Sequence, residues 1–479
     1  MKRELKIITA IAGMALILVS SCTKNFEEIN TNPNTPDQAP LTNVLAYVIQ
    51  NLSSRFGTTE MEYAAAFTGH VTKGNYTDVV TYSSNPSSSV WTGNYGAIAT
   101  NANNIIEKAE EAGNVNMQAA AVVLKAYAMQ MVTDVYGPAP YFEAGLGDEG
   151  LIHPVFDTEA EIYTDLMLQL EMANGMLSED PLAGLLGSGD LLYGGDIMKW
   201  KRFCNSLHLR MAIRISNIDE TTAGAEIARI LGDPDVYPVF ESNDDNAFLA
   251  YPGTEDWVEP WTARHSSIGD DKMAKPLVDT LINYGDPRLA YYADTIVGGI
   301  YVGLEVGNRW PHKDSVSNLN DLFVNNPSGS IYFLTYAEVE LIKAEASARS
   351  FVTASAQDAY EAGITASCQQ YGIDADTITA YLDNPGVLWE GNLEQIYIQK
   401  WISLFHQSWE AWAEMRRTDI PTLGPALNTT KTGHNRAPFR FPYPDSEIKL
   451  NGDNIPEFVV EDDYHWGYQV WWDTRTGVE

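Results

Sequence analysis

The sequence is poor in cysteine, poor in basic side chains and has one long apolar run, and each shortage excludes a class of protein. Three cysteines among 479 residues rule out a disulfide-stapled scaffold. Only 30 Lys and Arg stand against 64 Asp and Glu, a formal charge of −34. Such a field repels phosphate backbones and anionic headgroups, which excludes nucleic-acid binding and electrostatic docking to a membrane. Catalytic motifs are missing too. There is no His-Glu-x-x-His run, and the eight histidines are scattered singly. The glycines of Gly187-Ser188-Gly189 and Gly194-Gly195 lack dinucleotide spacing and the Lys-Ser/Thr of a phosphate loop. His265-Ser266-Ser267-Ile268-Gly269 puts His where a nucleophile elbow needs Gly for its strained turn. Carboxylate pairs at glycosidase separations must arise by chance among so many acids, so the sequence singles out no catalytic pair. No enzyme is expected.

The one long apolar run, Ile7 to Val19, follows Lys2, Arg3 and Lys6 and ends at Ser20-Ser21-Cys22. As a helix it would span about 20 Å, short of the roughly 30 Å hydrocarbon core, so it reads as a secretory signal and not as a permanent span. Leu18-Val19-Ser20-Ser21-Cys22 resembles a bacterial lipobox, whose thiol takes a diacylglycerol. Residues 1–21 are thus expected to be a lipoprotein signal peptide, with Cys22 the lipid attachment and residues 22–40 a tether rich in proline and asparagine. With residues 1–21 go three basic residues and one acid, leaving 27 against 63 and a charge of −36. Cys204 and Cys368 lie in apolar helical patterns and are expected as buried thiols.

At 45% hydrophobic, the rest of the chain can bury a large core. Residues 41–479 read as one mostly helical domain. Helical patterns run over Leu41–Phe56, Met61–Val71, Tyr95–Ala112, Met117–Val132, Asp196–Ile215, Ala354–Tyr371 and Leu393–Arg417. Thr158-Glu159-Ala160-Glu161 and Thr335-Tyr336-Ala337-Glu338 have capping-box spacing and open two more. The last pattern, Leu393–Arg417, carries apolar stripes on two faces and predicts a helix buried on both. Small residues at Ala346, Gly363 and Ala366 suit close approach in stacked antiparallel helical hairpins, a solenoid-like construction. Residues 219–327 change character, being rich in Gly, Pro, Asn, Asp and Tyr with only short helical runs such as Lys272–Tyr284, and the tail from Pro421 is loop-like.

Aromatic residues concentrate in those loops. A sugar ring presents a face of C–H bonds to an aromatic plane while Asn, Asp and Arg bond its hydroxyls, so Tyr76, Tyr82, Trp91, Trp257, Trp261, Tyr301 and Trp310 are candidate ligand contacts. The competing reading is that these rings pin long loops to the frame. Asn243-Asp244-Asp245-Asn246 offers oxygen ligands, and Asp244 and Asp245 are weak calcium candidates without the alternating spacing of an EF-hand; otherwise no cofactor is expected.

In their joint order, several segments resemble the SusD/RagB family of nutrient-binding outer-membrane lipoproteins, in its SusD-like branch. They are Phe26-Glu27-Glu28-Ile29-Asn30-Thr31-Asn32-Pro33, Asp134-Val135-Tyr136-Gly137-Pro138-Ala139-Pro140-Tyr141, Trp200-Lys201-Arg202-Phe203 with Arg210, Gly285-Asp286-Pro287-Arg288, Gln399-Lys400-Trp401, and Glu410-Ala411-Trp412 with Arg416-Arg417. The resemblance implies four tetratricopeptide-like helix pairs with a long loop-rich insertion and tail. It also implies a lipid-anchored protein on the outer face of the outer membrane that captures an oligosaccharide or other nutrient. Such a protein passes its cargo to a TonB-dependent transporter of the SusC type by acting as its lid, without covalent chemistry. Lys24 and Glu27-Glu28 resemble the charged signal that sends such lipoproteins outward. Of the aromatics, Trp91 lies near the stretch where starch-binding members place theirs. Arg416 and Arg417 are expected to pair with helix carboxylates, and Asp286-Pro287-Arg288 to cap a turn. A lipoprotein glycosidase and a helical scaffold without a small ligand stand as alternatives.

Overall fold

In the computed structural model, which describes residues 39–83, 87–254, 256–457 and 465–479, helix α1 (Leu41–Thr59) starts directly after Pro40. Cys22, Lys24 and the Phe26–Pro33 segment lie outside the described residues. Leu45, Val48, Ile49, Leu52 and Phe56 recur at helical spacing and bury one face of α1 in the core. The helix continues through a π-helical turn, Glu60–Ala64, and a last turn to Phe67. The two helices expected over this stretch are therefore one, and Val71 belongs to a strand, β1 (Val71–Lys73).

Successive helices then pack side by side: α2 (Thr100–Glu111), α3 (Val115–Tyr136), α4 (Glu159–Met176), α5 (Ile197–Arg214) and α6 (Glu220–Gly232). Helix α3 is apolar all round and buried along nearly its whole length, because it lies between α2 and α4. The capping box that opens α4 is complete: the Thr158 hydroxyl accepts from Glu161 N–H while the Glu161 carboxylate accepts from Thr158 N–H. Helix α6 corrects the reading of residues 219–327 as loop with short helical runs. Its 13 residues bury Ala223, Ile227 and Ile230 on a single stripe, too sparse to stand out beside Gly224 and Gly232.

Two short antiparallel ribbons carry the loops. Strand β2 (Ala247–Ala250) pairs with β4 (Ser330–Leu334), and β1 pairs with β3 (Asp271–Met273). Between β2 and β3 runs α7 (Pro260–Ile268), and α8 (Lys275–Tyr284) follows β3. Helices α9 (Tyr336–Ala348) and α10 (Ala356–Gln369) approach closely at Gly363, where a Cβ would sit 2.6 Å from Leu341 Cγ. Thr335 caps α9, but the box there is only half made. The Glu338 carboxylate turns inward to the Nε and Nη2 of Arg210, at 2.7 Å each.

After α11 (Ala375–Leu382), the single helix expected over Leu393–Arg417 is two, α12 (Leu393–Ser403) and α13 (Ser408–Thr418). The break is bonded from outside: the Glu60 carboxylate, on the π-helical turn, accepts from Ser408 N–H, and His406 takes a left-handed φ of 69°. Burial on more than one face holds for both pieces: α12 encloses Trp401 and Ile402 from the two stripes, and α13 is enclosed from Ser408 to Arg417.

Arginines knit these helices. Arg417 is bidentate to Glu345 at 2.7 and 2.6 Å and meets Glu414 at 2.7 Å, while Arg214 bonds Glu410 and Glu414. Arg288 folds back on Asp286 and reaches Gln399 across the turn. Arg416 departs from the expected carboxylate pairing. It lies over the Trp412 ring at 3.7 Å and donates to the carbonyls of Asp134 and Phe439. Cys204 and Cys368 are buried free thiols. Leu41–Glu479 forms one compact unit, and among the described residues no helix is long and apolar enough to cross a membrane.

Candidate functional site

The β1–β3 ribbon builds a platform out of very few residues. Thr72 faces Lys272 and Lys73 faces Asp271 in register, and Gly74 N–H donates to Asp270 O at 2.7 Å to extend the ladder. The ribbon is anchored from below by a buried ion pair between Lys73 and Asp271. Burial alone would raise the Asp271 carboxyl, but Lys73, His265 and Arg264 outweigh it and bring it down to about 2. The Asp271 carboxylate is thus charged at every ordinary pH and bonded to Lys73.

Above the ribbon end sits Trp310. Its backbone N–H donates to Gly74 O at 2.9 Å, and its ring lies so close over Gly74 that a Cβ there would be 1.7 Å from Cε3. Only glycine leaves room for the indole in this position. Lys272 Nζ stands 4.8 Å from the ring centroid, a cation–π contact, and is bonded to Asn318. Burial lowers the Lys272 pKa, partly offset by Asp314 and Asp271. Two residues past Gly74, Tyr76 N–H is held by the Asp270 carboxylate at 2.9 Å while its side chain is 62% exposed. Asn75, Arg309, His312 and Asp314 are exposed beside the two rings in sequence and offer donors and acceptors. A half-buried indole and an exposed phenol, both on backbone bonded to the ribbon end and with polar residues next to them in sequence, suit a flat partly apolar ligand.

The other aromatic candidates separate by burial. Tyr301 is half-buried and packed against the core; its segment joins β3 through Leu304 N–H to Met273 O at 2.9 Å. Trp257 is half-buried in a turn closed by its own N–H to Thr254 O. Trp91, Tyr82 and Trp261 are enclosed, and they act as pins in the core. Trp91 is packed by Tyr95, Tyr136, Phe156 and Tyr443. Tyr82 lies against Phe67 and Trp466, with its oxygen accepting from Ala426 N–H at 2.9 Å. Trp261 has no exposed surface and sits among Phe323, Phe405 and His406.

Asp245 is buried, paired with Arg202 at 3.3 Å and accepting from Glu241 N–H, so its carboxylate is already engaged; Asp244 is exposed. Among the described residues no three His, Cys, Asp or Glu side chains gather as a metal site would require. Sequence reasoning missed Gly74, Lys272 and Asp270. The signal for the first was local: a glycine two residues before an aromatic, at the end of an apolar-flanked strand.

Residues 33–444 match the family model of SusD-like proteins, described as starch-binding and associating with the outer membrane. No curated protein matches the sequence. A solved chitin-binding protein is 26% identical and superposes with a TM-score of 0.81, covering 91% of this chain and all of its own. A SusD homologue from Bacteroides uniformis is 25% identical with a TM-score of 0.78, covering 92% of this chain and all of its own. A chitin-binding SusD homologue from Flavobacterium johnsoniae, 24% identical, shares the fold with a TM-score of 0.77 over 90% of this chain and 98% of its own. The mostly helical, tetratricopeptide-like fold is common to this chain and those neighbours.

Proposed function

The chain belongs to the SusD-like family, and from that premise we propose that it is a surface lipoprotein that captures a neutral oligosaccharide on the Tyr76–Trp310 platform. The exposed Tyr76 ring, two residues past the glycine that seats Trp310, carries this reading, since both offer aromatic surface on one ribbon end with polar residues next to them in sequence. The family description as starch-binding and the chitin-binding neighbour at 26% identity both point to uncharged pyranose chains. The charge of −34 works against anionic glycans.

Attachment is through lipid on Cys22, and the oligosaccharide passes unaltered to a TonB-dependent transporter of the SusC type, over which this protein closes as a lid. Lipid chains contribute about 0.8 kcal/mol per buried CH₂, enough with two or more chains to hold an acidic protein on an anionic surface. The test is fractionation with affinity purification of the full chain from detergent-solubilised outer membranes. A large β-barrel protein is expected to co-purify, and Cys22→Ser is expected to move the chain out of the membrane fraction. Membrane retention of the Cys22→Ser chain after removal of its signal, or purification without any barrel partner, would refute the anchored-lid reading.

A further inference from the structure

A cavity of about 280 Å³ opens at the N-terminal end of α7, away from the platform. Helix α7 has nine residues, so the two places are separated by about 14 Å of helix at 1.5 Å per residue. The floor is made by Glu259 and His406, 1% and 5% exposed, and the walls include Phe323, Tyr332, Gln370 and Tyr371. Glu259 is the N-cap of α7, and its two oxygens accept from Trp261 N–H at 2.9 Å and Thr262 N–H at 2.7 Å. Those bonds fix the carboxylate in place while leaving it lone pairs to spare.

His406 carries the argument. It is a non-glycine residue held at φ 69°, in the break between α12 and α13, and its ring is pinned edge-on by Trp261 at 4.3 Å. Its Nε2 is 3.5 Å from Glu259 Oε1 and makes no hydrogen bond within the described residues. A strained backbone, a buried imidazole nitrogen whose contact to Glu259 is too long and poorly aimed for a hydrogen bond, and a cavity against it are the combination expected where a ligand completes the bonding. The volume, just below the roughly 300–1,000 Å³ of drug-sized sites, limits that ligand to a single small ring. The aromatic walls ask for a C–H face, and the Gln370 amide for hydroxyls. The Glu259 carboxylate on the floor disfavours an anionic ligand.

We propose that this cavity is a second, independent sugar site that takes one neutral pyranose ring, its hydroxyls bonded by Glu259, His406 and Gln370. It stands whether or not the Tyr76–Trp310 platform binds glycan. The test uses the full chain carrying Tyr76→Ala and Trp310→Ala, so that the platform is silent. Saturation-transfer NMR is run with glucose, N-acetylglucosamine and glucuronate as probes. Glucose or N-acetylglucosamine should give transfer that saturates in the millimolar range, and glucuronate none. Adding Gln370→Ala or His406→Asn should weaken the binding about tenfold, the loss expected for one hydrogen bond. Asparagine tolerates the left-handed backbone at 406, and Gln370 lies at the partly exposed wall, so at least one variant stays folded. Absence of transfer from both neutral sugars at about 50 mM, far above the roughly 1 mM expected of a few hydrogen bonds, would overturn the proposal. So would transfer insensitive to both substitutions, or equal transfer from glucuronate.

Discussion

Gly74→Ala separates a platform built by packing from a chance proximity of aromatics. The backbone at Gly74 lies outside the left-handed region, so alanine costs nothing in φ and acts through its Cβ alone. That carbon would stand 1.7, 2.2 and 2.4 Å from three atoms of the Trp310 ring, against the 3.5–4.0 Å or so of ordinary carbon contact. The indole therefore has to move by about 2 Å, or the strand end has to open, and either leaves the Lys272 contact. Overpacking of this kind typically costs about 1–3 kcal/mol, and the lost cation–π contact about 0.5–1 kcal/mol more. That total is below the roughly 5–15 kcal/mol of a typical domain, so the chain stays folded. Displacement of a platform ring by 2 Å should cost at least about 1.4 kcal/mol of binding, a tenfold rise in Kd. Affinity electrophoresis through gels containing soluble glycan reads that rise, and tryptophan emission reads the ring's displacement. Unchanged mobility in Gly74→Ala together with a clear loss in Trp310→Ala would refute the claim that Gly74 seats the ring.

Two further expectations concern the frame that holds both sites. Burial raises Glu60 to about 7, against the opposing pull of His406. Its neutral form is therefore favoured in the folded chain. The associated stability is fully present below the unfolded value of 4.5 and is lost as pH rises to about 7, a decline on the order of 3 kcal/mol. Urea midpoints measured from pH 5 to pH 8 should fall more for the wild type than for Glu60→Gln, and parallel curves would contradict this. Arg417→Ala leaves Glu345 and Glu414 buried without their main cation, a loss of about 3–5 kcal/mol. Chemical unfolding followed by circular dichroism measures it, and a change below about 1 kcal/mol would show that Arg349, Lys400 and Arg214 compensate.

Helix existence was legible wherever an apolar stripe or a cap was strong: Thr158 opens α4 and Asp196 opens α5. The errors share a cause, in that a distant group took over a local decision. Glu338 has capping-box spacing but goes to Arg210, 128 residues away in sequence. Glu60 divides α12 from α13 across 348 residues, which periodicity within 393–417 cannot show. The candidate site was legible only as composition. Seven loop aromatics looked alike, and burial alone parts Tyr76 and Trp310 from Trp91, Tyr82 and Trp261. Lys272 reads by pattern as the start of the helical run to Tyr284 but lies in β3, ahead of α8, and its role and that of Asp270 come from the pairing of two three-residue strands 198 positions apart. His406 gave no signal at all, because its importance depends on a helix break that the sequence conceals.

The account rests on capture without chemistry at the Tyr76–Trp310 platform, and one titration tests it most directly. Calorimetry of the purified full chain in detergent against neutral oligomers of the starch and chitin types, with the recovered sugar sized afterwards, gives both affinity and fate. At least one oligomer should bind saturably and be recovered at full length. Binding should fall by at least about a hundredfold in Tyr76→Ala/Trp310→Ala, some 2.8 kcal/mol for two rings, with native helical content retained by circular dichroism. Wild-type affinity in that double variant, or shortened oligosaccharide in the recovered material, would contradict the central claim.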